Sequence, residues 1–581
     1  MKARVPVLIK DPSVSEWKGV PLAEPFTVDN EDLFLDGPVT RRVAVIDFDP
    51  ATGRICPGAK FIAADKPEGF GRYDVPMDGD LANPAFVQAA VFGGVSKTIA
   101  MFEEQDTLGR KVSWGFRGPQ LLVVPRAGEW ANAFYERDSR SLQLFFFTPV
   151  HGGGTVYSSH SQDIIAHESA HAVIDGVVPD IYDAASPQAL AIHEAVADIT
   201  TVLMAFRSRK LAAKVLEQTG GSIHRSNVFT GVGEHFAMGL GRSHDVLREL
   251  NNNRSLKDRD LDRTEPHALS EVLSGALYAV MVAIYDEVRT KPAKQVALEG
   301  KVAVLREYEQ WARSGSPAAE RMQAGAGDEE VAAGRALFIA GERFKRTVLR
   351  GLDYLPPGEL SFADFGRAVF ASDEASHPES DRQRERLADE FVRRGIIASR
   401  GDIDVRTNYE HEALHGVNFE DLCRSDWAAY GFADKWRRLL GIPPRIPFEV
   451  RPRLDVTKTY YRRNAPDEEL RELIFKVAWT VTEPCRVGGL PRKRRVSRGT
   501  TLAIDCAKRQ IRAVVRGGLD DQSGARDGFL ANLVEREELA IGEAALGPDG
   551  RPLRSVVRGD IANGALRLRA TAHALHALRE V

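Results

Sequence analysis

The sequence predicts an α+β fold in which a mixed β/α lobe leads into a helical lobe, with a β-containing lead-in before them and a β-rich accessory region after. Three observations carry that reading. Strand-sized apolar runs such as Leu142 to Phe147 come before long stretches of helical spacing. Gly152-Gly153-Gly154 marks the break between the two textures. Alternating apolar segments return from about residue 446 (FEVRPRLDV, LIFKVAWTVTE, TTLAIDC, QIRAVVRG).

Taken in order, residues 1–84 form a lead-in whose segment RRVAVIDFDPATGRICPGAKFIAA reads as a hairpin around Asp49-Pro50-Ala51-Thr52-Gly53. Residues 85–398 form the main unit, helical at PAFVQAAVFGGVSKTIAMFEE, then β, then helical again. An insertion of charged helices is expected near 291–350, a connector over 399–445, and a separate β-rich domain over 446–581 that ends in the helix-like HALHALREV. At 581 residues the chain is too long for one compact core, which supports several units.

Composition excludes more than it assigns. Lys plus Arg number 78 against 82 Asp plus Glu, so net charge argues for neither nucleic acid nor an anionic surface as partner. The run Arg492-Lys493-Arg494-Arg495 lacks interleaved aromatics and reads as a solvated loop, which again argues against nucleic acid. No uninterrupted apolar stretch approaches the roughly 20 residues of a bilayer crossing, so no membrane segment is expected. The start has no apolar core of signal-peptide length; the cytoplasm is expected, or export by a route without a recognisable N-terminal signal. Cys56, Cys423, Cys485 and Cys506 are scattered without Cys-x-x-Cys spacing and read as free thiols, with a Cys485–Cys506 pairing left open. Oligomeric state is not legible.

The chemistry concentrates in SQDIIAHESAHAVIDG. His167 and His171 are four apart, hence on one helix face, where two imidazoles can chelate one zinc ion while Glu168 stands beside an open coordination position. Apolar Ile164, Ile165, Val173 and Ile174 fit one buried helix closed by Gly176. A third ligand comes from the next helix, which starts at Ser186-Pro187 and carries Glu194 on its apolar face. Asp198, one turn on, is placed to hold the far nitrogen of a ligating histidine. His193 lies about one hundred degrees around that helix from Glu194 and is read as non-ligating. A second His-Glu-x-x-His occurs at His411-Glu412-Ala413-Leu414-His415, but its lead-in DIDVRTNYE lacks helical periodicity and no carboxylate helix follows at a suitable distance. It reads as a surface segment.

From Asp163 through Asp198 the sequence resembles the thermolysin-like gluzincin metallopeptidases, and the resemblance covers roughly residues 85–398. It implies a zincin-type fold and a zinc-dependent endopeptidase with Glu168 as catalytic base. Ala131-Asn132-Ala133-Phe134-Tyr135 looks like the family's substrate-binding edge strand, which implies that Asn132 and Ala133 hold an extended peptide or protein substrate. Tyr182 and His267 resemble the residues that stabilise the tetrahedral intermediate, and Asp262 the carboxylate that orients His267. Arg248 is the better of two candidates for the arginine on the substrate carbonyl; Arg254 is the other. Where the family has an acidic calcium cluster, this chain reads FRSRKLAAK, so calcium is not expected. The alternative function is a catalytically silent zincin scaffold acting as a protein-binding module.

Overall fold

The computed structural model describes every residue except 19, 30–32, 183, 185, 242–245, 291–318, 320–328, 379–381, 461–467, 543–556 and 570–581. Most of the expected charged insertion and the segment HALHALREV, with His573 and His576, lie outside the described residues.

β1 (Ala3–Leu8) is buried at every position but Arg4, the pattern of a strand covered on both faces. After α1 (Pro12–Lys18) come β2 (Ala23–Val28), β3 (Val43–Val45), β4 (Phe61–Ile62) and β5 (Gly71–Tyr73). A first sheet has the order β2-β1-β5-β4. It lies against α2 (Pro84–Glu103), which starts at the side-chain cap of Asn83 with proline in its first turn. Gly93 marks the contact: a Cβ there would stand 2.3 Å from the Pro6 carbonyl oxygen, so helix and strand meet at backbone distance.

The turn at Asp49 forms, with the Asp49 carboxylate accepting from Ala51 N and Thr52 N. Its immediate flanks pair as a short antiparallel bridge between Phe48 and Ile55, with Asp49 N donating to the Arg54 carbonyl and Cys56 N to the Asp47 carbonyl, but the hairpin does not extend into β3. β3 instead pairs in parallel with β6 (Leu121–Val124), opening a second sheet of order β3-β6-β8-β7. In that sheet β7 (Ala133–Glu136) runs antiparallel to β8 (Ser141–Leu144) and forms the edge. The lead-in therefore contributes a strand to the main unit's sheet. Beyond β9 (Phe146–Phe147) and β10 (Val156–Tyr157) the chain becomes helical: α3 (Gln162–Val177), α4 (Pro179–Tyr182), α5 (Pro187–Phe206) and α6 (Arg209–Thr219). Then follow β11 (Gly231–Val232), α7 (Glu234–Gly239), β12 (Arg248–Glu249) and α8 (Pro266–Thr290), with further helices over Glu329–Gly351, Phe362–Ser376 and Arg382–Arg393.

Three of these helices overturn the expectation that no segment is apolar enough to cross a membrane. By length and composition α2, α5 and α8 are long and apolar enough, with mean hydropathy of 1.4, 1.5 and 1.6 over their greasiest windows. Inside the structure 78%, 100% and 78% of those windows are buried. Searching for uninterrupted runs misses them because single polar residues, such as His193, Glu194 and Asp198 in α5, break a run without lowering its mean hydropathy much.

The C-terminal strands, from β13 (Thr407–Tyr409) and β14 (Phe448–Val450) onward, form a large sheet built around β16 (Glu468–Pro484), β17 (Lys493–Asp505) and β18 (Gln510–Arg516), with β15 (Leu454–Tyr460) antiparallel to β16. One face of it encloses a second apolar cluster with the segment 413–448, in which Leu473, Phe475, Trp479 and Leu502 pack with Leu422, Phe432 and Leu440. From the other face Ile474, Ala503, Ala513 and Val515 join the same apolar cluster as α3, α5 and the lead-in, so the main core takes in side chains from both flanking regions. A buried polar seam fastens this sheet to the helical lobe: Lys458 Nζ lies 2.6 Å from Asp353 Oδ2, and the Tyr354 hydroxyl donates to Glu472. The basic run expected as a solvated loop is instead the start of β17, where Arg494 is buried between Glu483 and Asp527. All four cysteines are free.

Candidate metal centre

α3 is capped by Ser161, whose hydroxyl accepts from Ile164 N, and every residue from Gln162 to Asp175 is buried. Both ends are anchored. At the N-terminal end Lys10, from the segment after β1, sets its ammonium 2.5 Å from Asp163 and donates to the Gly231 carbonyl at 2.9 Å. Asp163 also accepts from Gly233 N, tying α3 to the loop that walls the cleft. At the other end Asp175 accepts from the Arg137 guanidinium and the Tyr135 hydroxyl, both on or next to β7. The helix runs one residue past Gly176, which is needed for close approach: a Cβ there would stand 2.0 Å from the Ser113 carbonyl oxygen.

Between the anchors, α3 and α5 bring three donor groups together. His171 Nε2 lies 3.0 Å from His167 Nε2, His167 Nε2 3.3 Å from Glu194 Oε2, and His171 Nε2 3.4 Å from Glu194 Oε1. Ligand atoms about 2.0–2.1 Å from a tetrahedral zinc stand about 3.3 Å from one another, so the three groups match one face of that tetrahedron. Neither Glu194 oxygen has a hydrogen-bond partner among the described residues, although both are buried. A buried carboxylate needs positive charge beside it, which the imidazoles of His167, His171 and His267 supply at 3.3–3.4 Å in the metal-free site and zinc would supply in their place, so the residues present fit zinc on that ground.

The outer nitrogens of the two histidines are also held. Asp198 Oδ1 lies 3.1 Å from His167 Nδ1, and Arg248 clamps the same carboxylate through Nε and Nη2. His171 Nδ1 lies 2.5 Å from His193 Nδ1. Burial pushes His193 down to about 3, which keeps its ring neutral and able to accept from the Nδ1–H of a ligating His171. His193 thereby holds the outer nitrogen of His171 while the inner one faces His167 and Glu194. Its position immediately before Glu194 was the available signal.

A Glu168 carboxylate oxygen lies within 4.8 Å of the nearest ring nitrogens of His167 and His171, and Oε2 accepts from Tyr135 N on β7 at 3.0 Å. That bond separates Glu168 from Glu194 as a candidate ligand. Burial pushes Glu168 up to about 8, with His167 opposing. Burial disfavours charge on His167 too, but Asp198 and Glu194 outweigh it and lift the ring to about 9. The same histidines, with His267, hold Glu194 well below the usual carboxylate range against its burial.

Asn132, Ala133, His167, Glu168, Arg248 and His267 all line one cleft of about 250 Å³. Asn132 directly precedes β7, and Ala133 opens that strand. His267 Nε2 lies 3.4 Å from Glu194 Oε2. Of the two candidate arginines, Arg248 is in the cleft, while Arg254 pairs with Asp260 and is partly exposed.

Two expectations need correction. Asp262 does not orient His267; its carboxylate accepts from Thr264 N and Oγ1. Glu265 does so instead, 2.8 Å from His267 Nδ1, because it also caps the start of α8 by accepting from His267 N and Ala268 N. A carboxylate directly before Pro266 was the sequence signal for that cap. Tyr182 is not among the cleft-lining residues. Its hydroxyl faces Arg137 N at 3.5 Å and its ring lies under the Arg137 guanidinium, which Asp175 holds in place. The second His-Glu-x-x-His forms only a short 3-10 turn over Glu412–Leu414, with His411 Nδ1 accepting from Ala413 N. Without an α-helix the four-residue spacing does not put its imidazoles on one face.

Among family models and curated proteins, none matches this chain.

Proposed function

We propose that this chain is a zinc-dependent endopeptidase of the thermolysin-like, zincin type. One observation supports the reading above the others: His167, His171 and Glu194 converge at the spacing of a tetrahedral zinc face, with Glu168 beside it at the floor of a cleft edged by an open strand. When bound, zinc would polarise the scissile carbonyl and acidify the attacking water.

The remaining work falls to the chain's own groups. Among the described residues β7 is the edge of its sheet, so an extended peptide adds to it as a further strand, held by the Asn132 side chain and the Ala133 backbone. Glu168 takes the proton of the attacking water and delivers it to the departing amine. The bond from Tyr135 N fixes that carboxylate relative to the strand the substrate joins. His267, steadied by Glu265, and Arg248, steadied by Asp198, supply positive charge where the carbonyl oxygen becomes anionic. Each carries its own carboxylate partner, so neither needs to reorganise during the reaction.

Glu168→Gln tests this directly. The variant is expected to bind one zinc per chain, as the natural chain does, and to cleave unfolded protein about 10²–10⁴-fold more slowly. Undiminished cleavage would remove Glu168 as the base. A zinc-loaded natural chain that cleaves no peptide would leave the silent-scaffold reading.

A further inference from the structure

We propose that Glu271 makes this cleft select peptides that carry a lysine or arginine next to the scissile bond. The proposal rests on the peptidase reading and adds a substrate class to it.

Glu271 lies on α8 one turn beyond His267, so both side chains stand on the same helix face and both line the cleft. The other charged groups there are already committed: Arg248 to Asp198, and Glu265 to His267. Glu271 is less so. Its ion-pair contact is with Arg254, whose Nε is 3.5 Å away and whose guanidinium hydrogen-bonds Asp260 at 2.7 Å. About a third of the Glu271 side chain remains open.

The same cleft has an apolar wall made by Ile164, Val232, Phe236 and Leu247. A carboxylate beside such a wall is partly desolvated, and burial raises its proton affinity accordingly. A side chain with a long alkyl stem and a cationic head satisfies both surfaces, the stem along the wall and the head at the carboxylate. An apolar side chain of equal length fills the wall but leaves Glu271 without a counter-charge. An acidic one sets two like charges together. The expected order is arginine or lysine, then methionine, then glutamate. With no substrate bound, Arg254 partly neutralises the site from its solvent side.

The test uses the zinc-loaded full chain and a set of peptides identical but for one residue, arginine, lysine, methionine or glutamate, placed in turn on each side of the cleaved bond. Products are assigned by mass spectrometry. On one side of the bond, kcat/KM for lysine or arginine is expected to exceed methionine by about tenfold, equivalent to one charge pair of about 1.4 kcal/mol. Glu271→Gln should bring that ratio near one, and Glu271→Lys should favour glutamate. Zinc content and melting temperature report whether each variant is folded. Cleavage with no basic preference, or a preference that survives in both variants, overturns the assignment of Glu271 and leaves the peptidase reading standing. No cleavage of any peptide by the natural chain overturns both.

Discussion

Zinc binding at neutral pH should release a proton from His167, and the metal-free structure sets its size. Burial opposes charge on that ring, yet Asp198 at 3.1 Å from Nδ1 and Glu194 at 3.3 Å from Nε2 outweigh it and lift the imidazole from 6.5 to about 9. A coordinating nitrogen must be unprotonated, so at pH 7 the metal displaces a proton held about two units above ambient. At 1.36 kcal/mol per unit this is ~2.7 kcal/mol, or about 100-fold weaker apparent affinity at pH 7 than above pH 9. Titration calorimetry at pH 7, in buffers of different ionisation enthalpy, should count at least one proton released per zinc, with Glu168, raised to about 8 in the metal-free site, adding to the proton from His167. Chelator competition from pH 7 to 9 should give a tenfold gain in affinity per pH unit that flattens above about 9. The same raised value acts on folding with a defined sign. Protonated His167 stabilises the metal-free fold fully below about 6.5, and that contribution disappears as pH rises through about 9. Zinc binding with no proton release at pH 7 would refute the assignment of His167 as a ligand held between two carboxylates.

Two further substitutions separate the parts of the site. His193→Leu removes the acceptor for His171 Nδ1 and should weaken zinc by about 10–100-fold, read by chelator competition, with recovery in His193→Asn; unchanged affinity would mean that α3 alone orients His171. Lys10→Met leaves Asp163 as a buried carboxylate without its cation and should cost about 3–5 kcal/mol in urea unfolding of the metal-free chain; an unshifted midpoint would show that the lead-in does not hold α3.

What the sequence revealed follows the range of the interactions involved. α3 and α5 were legible because helical period, an N-cap serine and a proline at the first turn are local signals, and they place His167, His171, Glu194 and Asp198 without tertiary information. The partner of His267 was not. Asp262 and Glu265 are both close in sequence, and only the start of α8 decides which carboxylate turns toward the imidazole. The role of Lys10 was illegible for a stronger reason: it meets Asp163 across 153 residues, and a single lysine after a short strand carries no mark of burial. The packing between the expected units was illegible for the same reason. Composition changes at residues 84 and 446, but apolar faces of the lead-in and of the C-terminal sheet close on the same core, a contact between distant segments that no local pattern encodes.

The anchoring of α3 at both ends makes it behave as a beam clamped at two supports. A helix free at one end relieves strain by fraying there; this one, tied through Asp163 to the lead-in and through Asp175 to the edge strand, has no such outlet. Both imidazoles lie midway between those supports. Residue 10 and residue 137, far apart in the chain and neither of them a ligand, thereby act on the same two rings.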